Sequence, residues 1–405
     1  MTAAAASHGA DLDSLLSLRL RRGLAGTVLS SRSARVVFDA GHAGVWTVTL
    51  DKGRGSVRRG SSPDPTLVIS GTAGVLADIV GGRESGVQAF LDGRVTCRGD
   101  LALSLQLDGL WEAGGDAADR PDRFPRALQV SAMGVRTSYL EAGPLDAPPV
   151  ILLHGLGATN ASMLPTLADL AHDHRVIAPD SPGFGASAAP SGPYSPAWFA
   201  AWLEEFQVAT RSRGAVLVGN SLGGRLALEA GLTHPKSVRG VVLLAPSPAF
   251  RRLRQWVPLV RVMPPELARL PVVVSHRLVV EGIRGMFSVP DRLPRSWYDA
   301  AADEFRRVMR SPSHRVAFFQ CARQIYLEDA YGRTGFWHRL PGLVPPALFV
   351  WGDRDRLVPS SFARHVADAL PDAGSVVLED CGHVPQFEHP EVLNPMVRGF
   401  ITSLA

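Results

Sequence analysis

A serine set between glycines, Gly219-Asn220-Ser221-Leu222-Gly223, fits the pattern G-x-S-x-G. In a chain with 40 glycines that spacing alone says little, and its surroundings say more. The apolar run AVLVG leads in with strand character and RLALEAGL leads out with helix character. Strand, turn and helix in that order make a nucleophile elbow. Such a turn strains the serine backbone, and its glycines let neighbouring chain approach without a Cβ clash. The hydroxyl then stands at the end of a sheet, above a helix N-terminus that favours developing negative charge. The competing reading is a structural serine in a glycine turn.

A serine hydroxyl is a weak nucleophile and needs a base. Of the 12 histidines, His383 follows the run SVVLED near the end of the chain, where the order Ser, acid, His requires it. His154 is its rival. It precedes Gly155-Leu156-Gly157, where an imidazole more often props a loop than moves protons. The acid must hold the imidazole tautomer and stabilise the imidazolium. Asp353 and Asp355 share one loop, Trp351-Gly352-Asp353-Arg354-Asp355-Arg356, whereas the loop after RGVVLLAP offers Ser247 and no carboxylate. Asp353 abuts the strand end and suits ordering the turn, so Asp355 is the favoured acid. An oxyanion needs two preorganised donors, and the backbone N–H groups of Leu222 and Leu156 are the candidates. Asp180-Ser181-Pro182-Gly183-Phe184-Gly185 reads as a structural turn near the site. No metal or organic cofactor is implied.

Positioning these residues requires a sheet whose strand ends converge. PPVILLHG, HRVIAPD, GAVLVGN, RGVVLLAP and PPALFVWG are short apolar runs of buried-strand type, alternating with helices. That predicts an α/β fold, a doubly wound, mostly parallel sheet, from residue 127 to 405. About 95 residues with weak strand character separate the last two runs and predict a helical cap at about 247–340. The cap carries 16 Arg against 8 Asp plus Glu, a net of +8, with Trp256, Phe287, Trp297, Phe318, Phe319 and Trp337 interleaved. Two readings compete: a solvated helical face over inward aromatics, and a docking face for anionic lipid or a charged head group.

Residues 1–113 read as a smaller α+β domain. Leu12, Leu15, Leu16 and Leu20 lie at helical spacing. In GVWTVTL, Trp46, Val48 and Leu50 face one side and Thr47 and Thr49 the other. Further strands and short helices follow through TLVISG, GTAGVLADIVGG, ESGVQAFLDG and RVTCRGDLALSLQLDGLW. Residues 114–126, rich in Gly, Asp, Arg and Pro, are the expected exposed linker. Every named catalytic residue lies beyond that linker, so the chemistry is expected to stand without residues 1–113.

Length, 405 residues, calls for two or three compact units. The net charge of +4 comes with only two lysines, Lys52 and Lys236, and with neither a dense basic run nor zinc-ligand spacing. Nucleic acid is therefore not an expected partner. Cys97, Cys321 and Cys381 are an odd, scattered set, so a reducing cytoplasm is the simpler home. The first residues lack the charged and apolar regions of a secretion signal. No run approaches a membrane span, which leaves peripheral contact as the form membrane association would take.

The motifs HGLG, DSPGFGAS, GNSLGG, GDRDRLVP and GHVPQFEHP together resemble the α/β-hydrolase superfamily over nearly all of residues 127–405. In that family the acid lies three residues after the loop glycine, which implies Asp355, and the histidine of GH-x-P implies His383. Serine at 221 argues against haloalkane dehalogenases and epoxide hydrolases. GNSLGG and WGDRDRLVP also resemble the meta-cleavage C–C bond hydrolases, and acyltransferases share the triad. Residues 30–112 resemble the sterol carrier protein type 2 domain through VWTVTLDKG, PDPTLVISG and AFLDGRVTCRGDLALSLQLDGL, which implies a tunnel for sterols or acyl chains. A spacer or dimerisation module is the plainer alternative. The expected activity is hydrolysis of a hydrophobic, lipid-like carboxylic ester through an acyl-enzyme. C–C bond hydrolysis, and a lipid carrier with an inert hydrolase unit, are the alternatives.

Overall fold

The computed structural model describes residues 3–21, 28–108, 124–246, 257–271, 274–333 and 335–404. The N-terminal domain is a five-stranded sheet of β1 (Ser33–Asp39), β2 (Val45–Asp51), β3 (Arg54–Arg59), β4 (Leu67–Gly71) and β5 (Val95–Gly99), in the order β3-β2-β1-β4-β5. β1 pairs antiparallel with β2 and parallel with β4. The opening helix Ala3–Arg21 seals it with Leu12, Leu16 and Leu20, all buried. Asp13 of that helix accepts from Trp46 Nε1 at 2.7 Å, which pins helix to sheet. Trp46, Val48 and Leu50 are buried as their alternation predicts. Thr47 departs from the expected polar face. It is buried too, because its hydroxyl donates to Gly60 O at 2.6 Å and so satisfies itself inside.

The larger sheet has eight strands: β6 (Arg126–Ala132), β7 (Val135–Ala142), β8 (Pro149–Leu153), β9 (Arg175–Pro179), β10 (Ala215–Asn220), β11 (Val238–Leu244), β12 (Ala347–Gly352) and β13 (Gly374–Leu378). Their order is β13-β12-β11-β10-β8-β9-β7-β6. From β13 to β9 every pairing is parallel, and β7 and β6 add antiparallel strands at one edge. Burial on both faces explains the continuous apolar runs of β8 to β12. The β6–β7 hairpin begins within the last residue of the expected linker. Apart from residues 124–126, that stretch lies outside the described residues, as do Ser247 and Trp256.

Among the described residues between β11 and β12 the chain is mainly helical, chiefly His276–Arg284, Arg295–Met309 and Pro312–Leu327. The helix Arg295–Met309 docks on the N-terminal domain. Asp303 accepts from Arg98 Nε at 2.8 Å and from Gly99 N at 3.0 Å. Arg307 lies 3.4 Å from Asp100. Trp297 Nε1 donates to Phe90 O at 3.1 Å and its ring stacks on Phe90. One apolar core runs through both domains, joining Phe38, Leu76 and Leu103 to Leu164, Leu167 and Val397.

Candidate active site

Ser221 sits between β10 and the helix Leu222–Thr233 with φ 53° and ψ −112°. This left-handed backbone is one that non-glycine residues adopt only under constraint. The constraint is local. Ser221 N donates to Leu244 O at 2.9 Å, and Arg225 N returns to Ser221 O at 3.0 Å. The flanking glycines are a steric necessity: a Cβ on Gly219 would lie 2.4 Å from Gly223 C, and one on Gly223 would lie 2.1 Å from Leu153 O.

His383 stands after β13, with Nδ1 2.7 Å from Asp355 Oδ2. Asp355 is fixed from its other oxygen, which accepts from Leu357 N at 2.8 Å and Val358 N at 2.9 Å. Asp353 is exposed and accepts from Cys381 N at 3.1 Å, which orders the turn. The His383 loop is brought to the elbow by Asn220, whose Nδ2 donates to His383 O at 3.0 Å and to Leu244 O at 3.1 Å. Thus His383 and Asp355 are joined, while no hydrogen bond links Ser221 Oγ to His383. In free enzymes that bond often tightens only with substrate present.

His154 is fully buried and neutral. Nδ1–H donates to Gly155 O at 2.8 Å, and Nε2 accepts from Ser181 N at 3.0 Å. Burial lowers its pKa to about 4, the Gly155 bond opposing this in part. Both ring nitrogens are committed to holding the loop. Asp180 supports the same loop, accepting from Asn160 N and Ala186 N, each at 2.8 Å. Burial pushes its pKa up to about 6.

Gly155 lies beside the elbow: a Cβ on it would be 3.4 Å from Ser221 Cβ. Leu222 is the first residue of its helix, so its N–H has no partner inside the helix. Leu156, in the loop after β8, packs against the apolar core that also holds Leu222. Above it, Phe305 and Phe318 of the cap meet edge to face at 5.9 Å. They lie so near the loop that a Cβ on Gly157 would come within 2.9 Å of Phe318.

One supporting group carried no sequence signal. Arg225, one turn past Ser221 and fully buried, bonds Glu229 at 2.9 Å and reaches Glu328 of the cap at 3.1 Å. Burial alone would raise the Glu229 pKa, but Arg225 and Arg339 hold it below the ordinary value. Glu328 is 103 residues away, so no local pattern pairs it with Arg225.

Residues 148–390 match the family model described as the alpha/beta hydrolase fold. The chain belongs to that family. Residues 18–112 match the SCP-2 sterol transfer family, which makes the N-terminal domain a sterol-carrier domain. Among curated proteins, the hydrolase is 31% identical to the 2-hydroxy-6-oxo-6-(2'-aminophenyl)hexa-2,4-dienoic acid hydrolase of Metapseudomonas resinovorans, over 65% of this chain and 86% of that one. It is 30% identical to the pimeloyl-acyl-carrier-protein methyl ester esterase of Xanthomonas oryzae pv. oryzae, over 64% and 96%. Among solved structures, a membrane phospholipase A described as a bacterial virulence factor superposes with a TM-score of 0.57 at 26% identity, covering 69% of this chain and 86% of that one. Relatives of this hydrolase therefore include both esterases and C–C bond hydrolases.

Proposed function

We propose that the protein is a serine hydrolase cleaving a hydrophobic, lipid-like carboxylic ester through an acyl-enzyme on Ser221. Ser221 Oγ attacks the acyl carbon while His383 Nε2 takes its proton and passes it to the departing alkoxide. Asp355 keeps the proton on Nδ1 and stabilises the imidazolium. The N–H groups of Leu156 and Leu222 receive the oxyanion. Water, deprotonated by His383, then releases the acid. The observation that carries this reading is the buried 2.7 Å His383–Asp355 bond beside the strained Ser221. The Phe305–Phe318 roof over Gly157 favours an apolar substrate.

C–C bond hydrolysis of a ring-fission diketone is the second reading, favoured by the 31% identical dienoic acid hydrolase. A p-nitrophenyl ester series of rising chain length, run beside one ring-fission substrate, separates the two. The ester reading expects kcat/KM to rise with chain length and to exceed that for the diketone. The opposite order transfers the assignment.

The cap also supports contact with an anionic lipid surface. Arg315 spends its guanidinium on the carbonyls of Ala268 and Arg269, and Arg323 on those of Val260 and Arg261. These bonds pin residues 260–269 along the helix Pro312–Leu327, where Val262 is 75% and Leu270 63% exposed and Phe319 of that helix is exposed as well. Arg261 and Arg269 flank them in solvent. Co-sedimentation with phosphatidylserine vesicles should fall with added salt. No binding at low salt removes this contact.

A further inference from the structure

The helix Arg295–Met309 is gripped on two faces. At about 100° per residue, Asp303 and Arg307 lie roughly 40° apart on one face and Phe305 lies roughly opposite them. The Phe305 face meets the active site: a Cβ on Gly157 would come 3.1 Å from Phe305 Cε2. The Asp303 and Arg307 face meets the N-terminal domain. Asp303 Oδ2 accepts two bonds there, from Arg98 Nε at 2.8 Å and Gly99 N at 3.0 Å. Arg307 Nε lies 3.4 Å from Asp100 Oδ1.

Arg98, Gly99 and Asp100 are consecutive at the end of β5, and their corner is stiff. Gly99 has φ 103°, and a Cβ on it would lie 2.4 Å from Thr66 O. Asp100 is fixed in turn by Arg32 Nη2 at 3.1 Å and Leu103 N at 2.9 Å. The helix, by contrast, has little of its own to fix its entry. Pro294 gives it no side-chain cap, and Trp297 in its first turn donates instead to Phe90 O of the N-terminal domain. Near its far end Arg307 bonds Glu304 at 2.6 Å and reaches Gly185 O, in the turn closed by Asp180, at 3.4 Å. One guanidinium thus joins the N-terminal corner, the cap helix and a turn of the hydrolase.

We propose that Arg98 is a positioning residue of the hydrolase: through Asp303 it sets the tilt of the helix Arg295–Met309, and so the height of Phe305 above Gly157 and the fit of the acyl chain beneath it. The proposal rests on reading Gly155–Gly157 as the oxyanion loop beside Ser221. Arg98 stands on the N-terminal sheet with its side chain half exposed, so its replacement disturbs the interface and leaves the core of either domain filled.

The test compares p-nitrophenyl octanoate with p-nitrophenyl acetate on the full chain. Arg98→Glu sets a carboxylate against Asp303 and should lower the octanoate-to-acetate ratio of kcat/KM about fivefold or more, through KM for octanoate. Arg98→Lys keeps a charged donor and should stay within about twofold of the wild type. Phe305→Ala should lower the same ratio, and adding Arg98→Glu to it should change the ratio less than about twofold, because both act on one contact. Arg98→Ser, which removes the bond without adding charge, takes the place of Arg98→Glu should that variant fail to fold by circular dichroism. A loss shared equally by both esters, or no loss, in Arg98→Glu refutes the positioning role. A full further loss on top of Phe305→Ala refutes the route through Phe305. An unchanged ratio in Phe305→Ala overturns the roof as the acyl site, and hydrolysis that persists in Ser221→Ala overturns the catalytic reading instead.

Discussion

Asp355→Asn isolates one proton. The carboxylate presents two differently engaged oxygens: Oδ1 accepts two backbone N–H groups, from Leu357 and Val358, and Oδ2 faces His383 Nδ1 at 2.7 Å. An amide placed here must keep its oxygen where the two N–H donors point. Its NH2 then faces His383 Nδ1, which can only accept from it. The imidazole proton is driven to Nε2, the atom that in the proposed cycle takes the proton from Ser221. In the serine proteases the same exchange costs about 10⁴ in kcat, or about 5 kcal/mol of barrier. Asp353→Asn keeps an amide oxygen for Cys381 N on an exposed loop, so its effect should stay below roughly tenfold. Both variants should melt near the wild type. Steady-state hydrolysis of one ester, with thermal denaturation as the control for folding, checks this. The reverse ranking, or equal losses, refutes the assignment of the acid.

Burial lowers the His154 pKa from 6.5 to about 4, so the native state binds fewer protons than the unfolded chain. Its contribution is complete above pH 6.5 and is lost as pH falls through 4, about 3 kcal/mol in all. His154→Gln should therefore lose less stability than the wild type between pH 7 and 4, by denaturant titration at each pH. Deleting residues 1–113 should lower melting temperature and hydrolysis of short and long esters alike. The deletion strips Asp303, Arg307 and Trp297 of their partners across the domain boundary. Unchanged turnover of a short ester by the truncated chain would show instead that the chemistry stands without residues 1–113.

The parallel strands were legible because strands buried on both faces need unbroken apolar runs, as in β8 and β10. The β6–β7 hairpin was not, since it buries polar side chains whose partners are remote. Thr137 accepts from Trp202 Nε1 at 3.1 Å, and Glu141 pairs with Arg175. The elbow was legible from the apolar strand run before it and the helix after it, and the turn-ordering bond that Asp353 accepts from Cys381 N follows from its place at the strand end. The Arg225–Glu328 pair and the docking of Arg98 on Asp303 join residues more than 100 positions apart. Local patterns carry no record of such contacts. The cap's excess of arginine looked like a charged surface, yet Arg306, Arg315 and Arg323 cap backbone carbonyls.

The proposed cycle requires that Ser221 become acylated. Reaction of the full chain with a fluorophosphonate, read by intact mass and peptide mapping, tests it most directly. One adduct on Ser221, none in Ser221→Ala, and turnover lost together with labelling is the result this account predicts. Labelling elsewhere, or wild-type hydrolysis by Ser221→Ala, would contradict it.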